Sequence, residues 1–112
     1  MRQSLKAVSL KDKLLKKVQV FGEIYSINYQ NLLFENGELC FGTCCTKTKT
    51  ITIEKNLDQD ERQITFLHEF IHAIIHESGL NTTSLSSDVQ EVICENIAKQ
   101  LVKRFEILWK TY

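Results

Sequence analysis

Along the first half of the chain, apolar and polar positions alternate with a period close to two. Val18, Val20, Gly22, Ile24 and Ser26 fall on one side of an extended reading, and Phe21, Tyr25 and Ile27 on the other. Aromatic and β-branched residues dominate, so a strand is predicted over 18–28. Asn36-Gly37 then sits between Leu32-Leu33-Phe34 and Leu39-Cys40-Phe41. That dipeptide tolerates the two positive φ angles of a type I′ turn, so a hairpin is predicted there. The run Lys47 to Glu54 alternates through Ile51 and Ile53 and is the clearest single strand. The first half therefore reads as a small, mainly antiparallel sheet of three or four strands.

The second half changes period. Asp58-x-x-Glu61 has the form of a capping box, which starts a helix near 59. Apolar residues from Ile64 to Ile75 cover most of its circumference, as in a buried helix, and Gly79 is placed to end it after Glu77. Asn81 to Ser87 is polar loop. Ser87-x-x-Gln90 can cap a second long helix reaching Trp109, with Ile93, Ile97, Leu101, Phe105 and Leu108 as its core stripe. The fold class predicted is α+β, with the sheet first and two helices after it. One domain over 1–112 is the simplest parse, with 1–17 as a loose or helical arm (Leu5, Val8, Leu14 and Leu15 have roughly helical spacing).

Composition narrows the partners. Lys+Arg 14 balances Asp+Glu 14. A nucleic-acid ligand normally requires a basic excess, so global charge gives that class no support. The local excess at Arg2, Lys6, Lys11, Lys13, Lys16 and Lys17 is read as a solvated arm. No apolar run approaches the ~18 residues of a membrane span, and lysines interrupt any secretory h-region. A cytoplasmic location is expected, with the four cysteines as thiols. Cys40, Cys44 and Cys45, with Cys94 distant, lack the spacing of a zinc knuckle and are read as small residues packing in or near the sheet, with a redox-sensitive cluster as the alternative.

The chemistry lies in the first helix. His68-Glu69-Phe70-Ile71-His72 is an HExxH motif. Residues four apart share a helix face, so both imidazoles can reach one ion, while Glu69 stands beside the pair as a general base. Two histidines and a glutamate in an apolar segment are costly unless something satisfies them. Catalytic zinc usually takes three protein ligands and leaves a position open. The second helix offers Glu91 and Glu95, one turn apart, for the third. His76 extends the histidine stripe, but lies ~12 Å along the axis from His68, too far to share a tetrahedral ion with it. It is read as a cleft-lining residue that supports the ligands or donates to an oxyanion, or as a plain surface histidine near the helix end. Tyr25, Tyr29 and Tyr112 are other oxyanion candidates.

The stretch Lys49-Thr-Ile-Thr-Ile, a short acidic turn, and Gln63 through Gly79 resemble small gluzincin-like metallopeptidases of phages and mobile elements, the ImmA/IrrE type and the compact minigluzincins. The resemblance spans about 18–108 and is specific around 49–79. It implies a minimal zincin-like fold, one Zn2+, Glu69 as general base, and a ligand set of His68, His72 and a glutamate that opens the second helix, which points to Glu91. It implies a peptide or protein substrate hydrolysed with metal-activated water. An extended peptide is expected to add to an edge strand at 47–54. The rival expectation is a zinc-stabilised protein-binding module without peptidase activity. A nucleic-acid-binding arm is the third.

Overall fold

The computed structural model describes residues 14–79 and 85–104. Six strands precede two helices: β1 (Lys17–Val20), β2 (Glu23–Gln30), β3 (Phe34–Glu35), β4 (Glu38–Leu39), β5 (Gly42–Cys45), β6 (Thr50–Glu54), α1 (Gln59–Ser78) and α2 (Ser87–Arg104). The main sheet has the order β1-β2-β6-β5. Its outer pairs, β1/β2 and β5/β6, are antiparallel, and the central pair β2/β6 is parallel, with Ile27 opposite Ile51. The α+β architecture is as predicted.

The strand expected over 18–28 is two strands. The chain turns at Phe21-Gly22, where Phe21 takes φ 56°. A bulky residue in the left-handed region is strained, and nothing in the local residue pattern announces it. The Asn36-Gly37 turn forms as expected, with φ 55° and 82°. It joins only the two-residue strands β3 and β4, which make a ribbon separate from the main sheet. The ribbon is tied back at its base. Leu33 is buried, its amide donates to Glu54 Oε1 (3.0 Å), and Cys40 N donates to the Leu33 carbonyl (3.0 Å). The clean alternation through Ile51 and Ile53 is borne out, but β6 starts at Thr50, after a turn in which Lys49 has φ 55°.

One face of the sheet carries the core. Val20, Tyr25, Ile27, Ile51 and Ile53 point to it and meet Phe66, Leu67 and Ala73 of α1. Each large apolar side chain buried here contributes about 1.5–3 kcal/mol. The opposite face shows Ile24 and polar residues to solvent, as a one-sided antiparallel sheet does.

The bounds of α1 match the prediction closely. Asp58 accepts from the Glu61 amide (2.8 Å), and Gly79 closes the helix at φ 84°. The cap of α2 is shifted by one residue. Ser86, not Ser87, accepts from the Val89 amide through its hydroxyl (3.3 Å) and from the Gln90 amide through its carbonyl (3.0 Å). The core stripe of α2 also differs. Cys94 and Ala98 are fully buried, while Ile97 and Leu101 are exposed. Small residues let α2 lie close to α1, and the large ones face away. Phe105, Leu108, Trp109 and Tyr112, most of the Asn81–Ser87 loop and the arm up to residue 13 lie outside the described residues. Where the arm enters the described part it is anchored: Leu15 packs on the core, and its carbonyl accepts from Tyr29 (2.8 Å). No helix among the described residues is long and apolar enough to cross a membrane.

Candidate metal centre

α1 lies across the core face of the sheet, and α2 packs against α1. Between β5, α1 and the start of α2 is a cleft of ≈ 640 Å3. His68 and His72 face it from α1, one turn apart, with ring centroids 5.1 Å apart. Glu91 comes across from α2. Its Oε1 is 3.0 Å from His68 Nε2 and its Oε2 is 2.9 Å from His72 Nε2. One donor atom from each of these three residues lies within 4.8 Å of the other two. Donors about 2.0–2.1 Å from a tetrahedral ion are separated by roughly 3.4 Å, so this spread is compatible with one ion.

The other ring nitrogens explain why the Nε2 atoms are available. His68 Nδ1 is 2.7 Å from Glu95 Oε1, and His72 Nδ1 is 3.4 Å from Gln90 Oε1. A carboxylate or amide oxygen only accepts, so each Nδ1 donates in these contacts. In a neutral imidazole the Nε2 then keeps a lone pair facing the Glu91 carboxylate, which presents lone pairs in return. A cation between them resolves that conflict, and the donor set of two imidazoles and a carboxylate suits zinc. Glu95, considered as an alternative ligand, sits behind His68 instead. Burial opposes its ionisation, yet hydrogen bonds from Lys99 and His68 outweigh this and hold its carboxyl below the usual range.

Glu69 points to the same cleft from the buried side of the helix and is 8% exposed. Its carboxylate has no hydrogen bond or ion pair among the described residues. Burial pushes its carboxyl up to about 7; His68 opposes the rise, and Glu91, Glu35 and Glu95 add to it. Gly42 of β5 makes this placement possible. A Cβ there would stand 2.6 Å from Thr65 Cγ2 and 3.2 Å from Glu69 Cγ. The sheet edge thus approaches the helix only because residue 42 has no side chain.

A match to the family described as Peptidase M78, IrrE N-terminal-like domain, covers residues 27–104. The chain belongs to that family. No curated protein and no solved structure matches it. The family resemblance drawn from residues 49–79 is therefore correct, and membership makes a metallopeptidase-type domain the frame for the site.

Several expectations change with the geometry. The strand at 47–54 is not an edge: β6 lies between β2 and β5, and β5 is the edge that lines the cleft. The Phe41 carbonyl accepts from the Glu54 amide (2.7 Å). Alternation along β5 then turns the backbone of Gly42 and Cys44 outward. Tyr25 and Tyr29 are away from the cleft, donating to Glu77 (2.7 Å) and to the Leu15 carbonyl (2.8 Å). His76 lines the cleft one turn beyond His72. All four cysteines are unpaired. Cys94 is fully buried and Cys44 packs against the core, and burial pushes both thiols up to about 12. Cys40 and Cys44 also line the cleft. The sequence pattern offers Gln90 only as a cap residue. Its position beside Glu91 was the available signal, since the residue flanking an inward ligand on a first turn can reach the second imidazole. Gly42 carried a signal too, as a glycine inside a strand.

Proposed function

We propose that this protein is a zinc-dependent peptidase that hydrolyses peptide bonds. The observation that carries the reading is the convergence of both Nε2 atoms on the Glu91 carboxylate, beside an unpartnered Glu69. His68, His72 and Glu91 hold the ion. A zinc ion in that position polarises a carbonyl and acidifies a water molecule.

Glu69 accepts a proton as the water oxygen bonds to the scissile carbon. It returns that proton to the amide nitrogen as the C–N bond breaks. Burial raises the affinity of its carboxylate for that proton, as the role requires. Glu95 and Gln90 fix the imidazole orientations. The outward backbone of Gly42 and Cys44 offers an extended peptide main-chain hydrogen bonds, which orients the scissile bond along the cleft. His76, further along the same helix face, is the residue we assign to the developing oxyanion.

The test compares wild type and Glu69→Gln after zinc loading, with zinc measured by elemental mass spectrometry and hydrolysis on an unfolded protein substrate. About one zinc per chain in both, with hydrolysis reduced ~10²–10⁴-fold in Glu69→Gln, is expected. Zinc in both and hydrolysis in neither would leave a zinc-stabilised binding module. No zinc in either would sink the metal reading.

A further inference from the structure

We infer that residues 1–13 of this chain pack as a helix along the outer face of α2 and so hold against α1 the helix that carries Glu91.

α2 has two apolar faces. Cys94 and Ala98, with the half-buried Val102, turn to the core. Val89, Ile93, Ile97 and Leu101 form a second stripe, each four residues after the last. Val89, Ile97 and Leu101 are 45%, 43% and 36% exposed, and Ile93 is half-buried. Val89 and Glu91, like Glu95 and Ile97, are two residues apart, which sets them ~160° apart around a helix. The second stripe therefore faces away from the cleft. A continuous exposed apolar surface of this kind marks a contact that the described residues leave open.

The arm enters the described part beside one end of that stripe. His68 faces Glu95 and His72 faces Gln90, so α2 runs antiparallel to α1. Leu101 and Val102 thus come level with the first turns of α1. Leu15 is held at the same end. Its carbonyl accepts from Tyr29, which is close enough to Arg62 to feel its charge. Leu15 and Val102 pack against the same core cluster. β1, which follows the arm, is the sheet edge opposite β5, so the arm starts on the side away from the cleft.

Length and pattern of the arm fit this surface. As a helix, residues 1–13 measure ~20 Å, against ~18 Å from Val89 to Leu101. Met1, Leu5 and Val8 then share one face. A helix this short is marginal alone and needs an apolar partner. Followed back from Leu14, the arm lies parallel to α2, with Met1 toward Val89. Arg2 and Lys6 then approach Asp88, at the start of α2. Asp12, four residues after Val8 on the docking face, approaches Lys103 and Arg104, while Lys11 and Lys13 flank that face. A segment tethered this closely acts at an effective concentration in the millimolar range, which favours it over a second copy on the same stripe.

The test is NOE spectroscopy on the whole chain labelled at Ile, Leu and Val methyl groups, with and without added zinc, so that its result stands whatever becomes of the metal and peptidase readings. Cross-peaks from Leu5 or Val8 to Ile97 or Leu101 are expected. The double variant Leu5→Asp/Val8→Asp should speed amide exchange in α2 by about tenfold or more and leave α1 little changed. Ile97→Asp should do the same and remove the cross-peaks of the arm. Absence of arm-to-α2 cross-peaks under both conditions, or α2 exchange unmoved by Leu5→Asp/Val8→Asp, overturns the inference. Cross-peaks that arise only between differently labelled copies in a mixed sample assign the stripe to a second copy and also overturn it. If Ile97→Asp does not fold by circular dichroism, the arm variant, which leaves every described residue in place, decides alone.

Discussion

The two helices that meet at the candidate metal centre are held in different ways. α1 is capped at both ends and buries Phe66, Leu67, Ala73 and Ile75. Its last turn is also fixed to the sheet, where Glu77 accepts from Lys49 (2.6 Å) and Tyr25 (2.7 Å). α2 buries only Cys94 and Ala98 and leaves Val92 and Ile97 exposed. What joins it to α1 at its start is the set of contacts from Gln90, Glu91 and Glu95 to the two histidines. The histidines therefore ride on a helix with a broad apolar seam, and the glutamates on one whose described residues have a narrow seam of Cys94, Ala98 and Val102. The metal we propose is then a staple between a deeply packed element and a more lightly packed one.

The largest expected effect follows directly. Zinc at a thousandfold excess over its dissociation constant stabilises a folded chain by about 4 kcal/mol, so Tm should rise by more than ten degrees. Chelation should reverse this, and amide exchange should show protection lost in α2 well before α1. Glu91→Ala should remove the zinc response. Equal loss in both helices would contradict the contrast between them. Next is Gly42→Ala, which forces a methyl group onto Thr65 and Glu69. A cost of about 1–3 kcal/mol in chemical denaturation is expected. It should act through the α1 side of the site and leave the zinc affinity of the isolated ligand set little changed. Glu95→Gln and Gln90→Ala release one imidazole each. Each should weaken zinc binding about 10–100-fold, measured by competition with a chromophoric chelator.

The smallest effect concerns the α1 anchor alone. Hydrogen bonds from Lys49 and Tyr25 hold the Glu77 carboxyl below its ordinary range. A depressed folded value means that this carboxylate stabilises the fold above the unfolded carboxyl pKa. That contribution fades as pH falls through the depressed folded value. Glu77→Gln should flatten the acid limb of a stability–pH curve. An unchanged acid limb would show that the anchor is dispensable.

Much of α1 was legible because its signals are local. Asp58, Gly79 and the spacing of His68 and His72 each act within one or two turns. The β1–β2 turn was not, because Phe21 takes a positive φ that neither glycine nor asparagine advertises. The face of α2 was misread for a physical reason. Hydrophobic periodicity selects Ile93, Ile97 and Leu101, whereas close helix contact selects Cys94 and Ala98, and the histidines require carboxylates on that same side. The edge strand was misassigned because sheet order depends on pairings between distant segments, which alternation within a segment does not encode.

The parallel pairing of β2 with β6 has a consequence for how the molecule assembles. Ser26 pairs with Thr50 across the whole ribbon and β5, whereas β5, β6 and α1 are consecutive. Closing the longer loop costs more chain entropy, and native contacts of high sequence separation form slowly. The segment from Gly42 to Ser78, which holds the free edge, the proposed general base and both histidines, can thus gather first from neighbouring contacts. If the β1–β2 hairpin adds last, the flank of β6 away from the cleft is an open strand edge until it does.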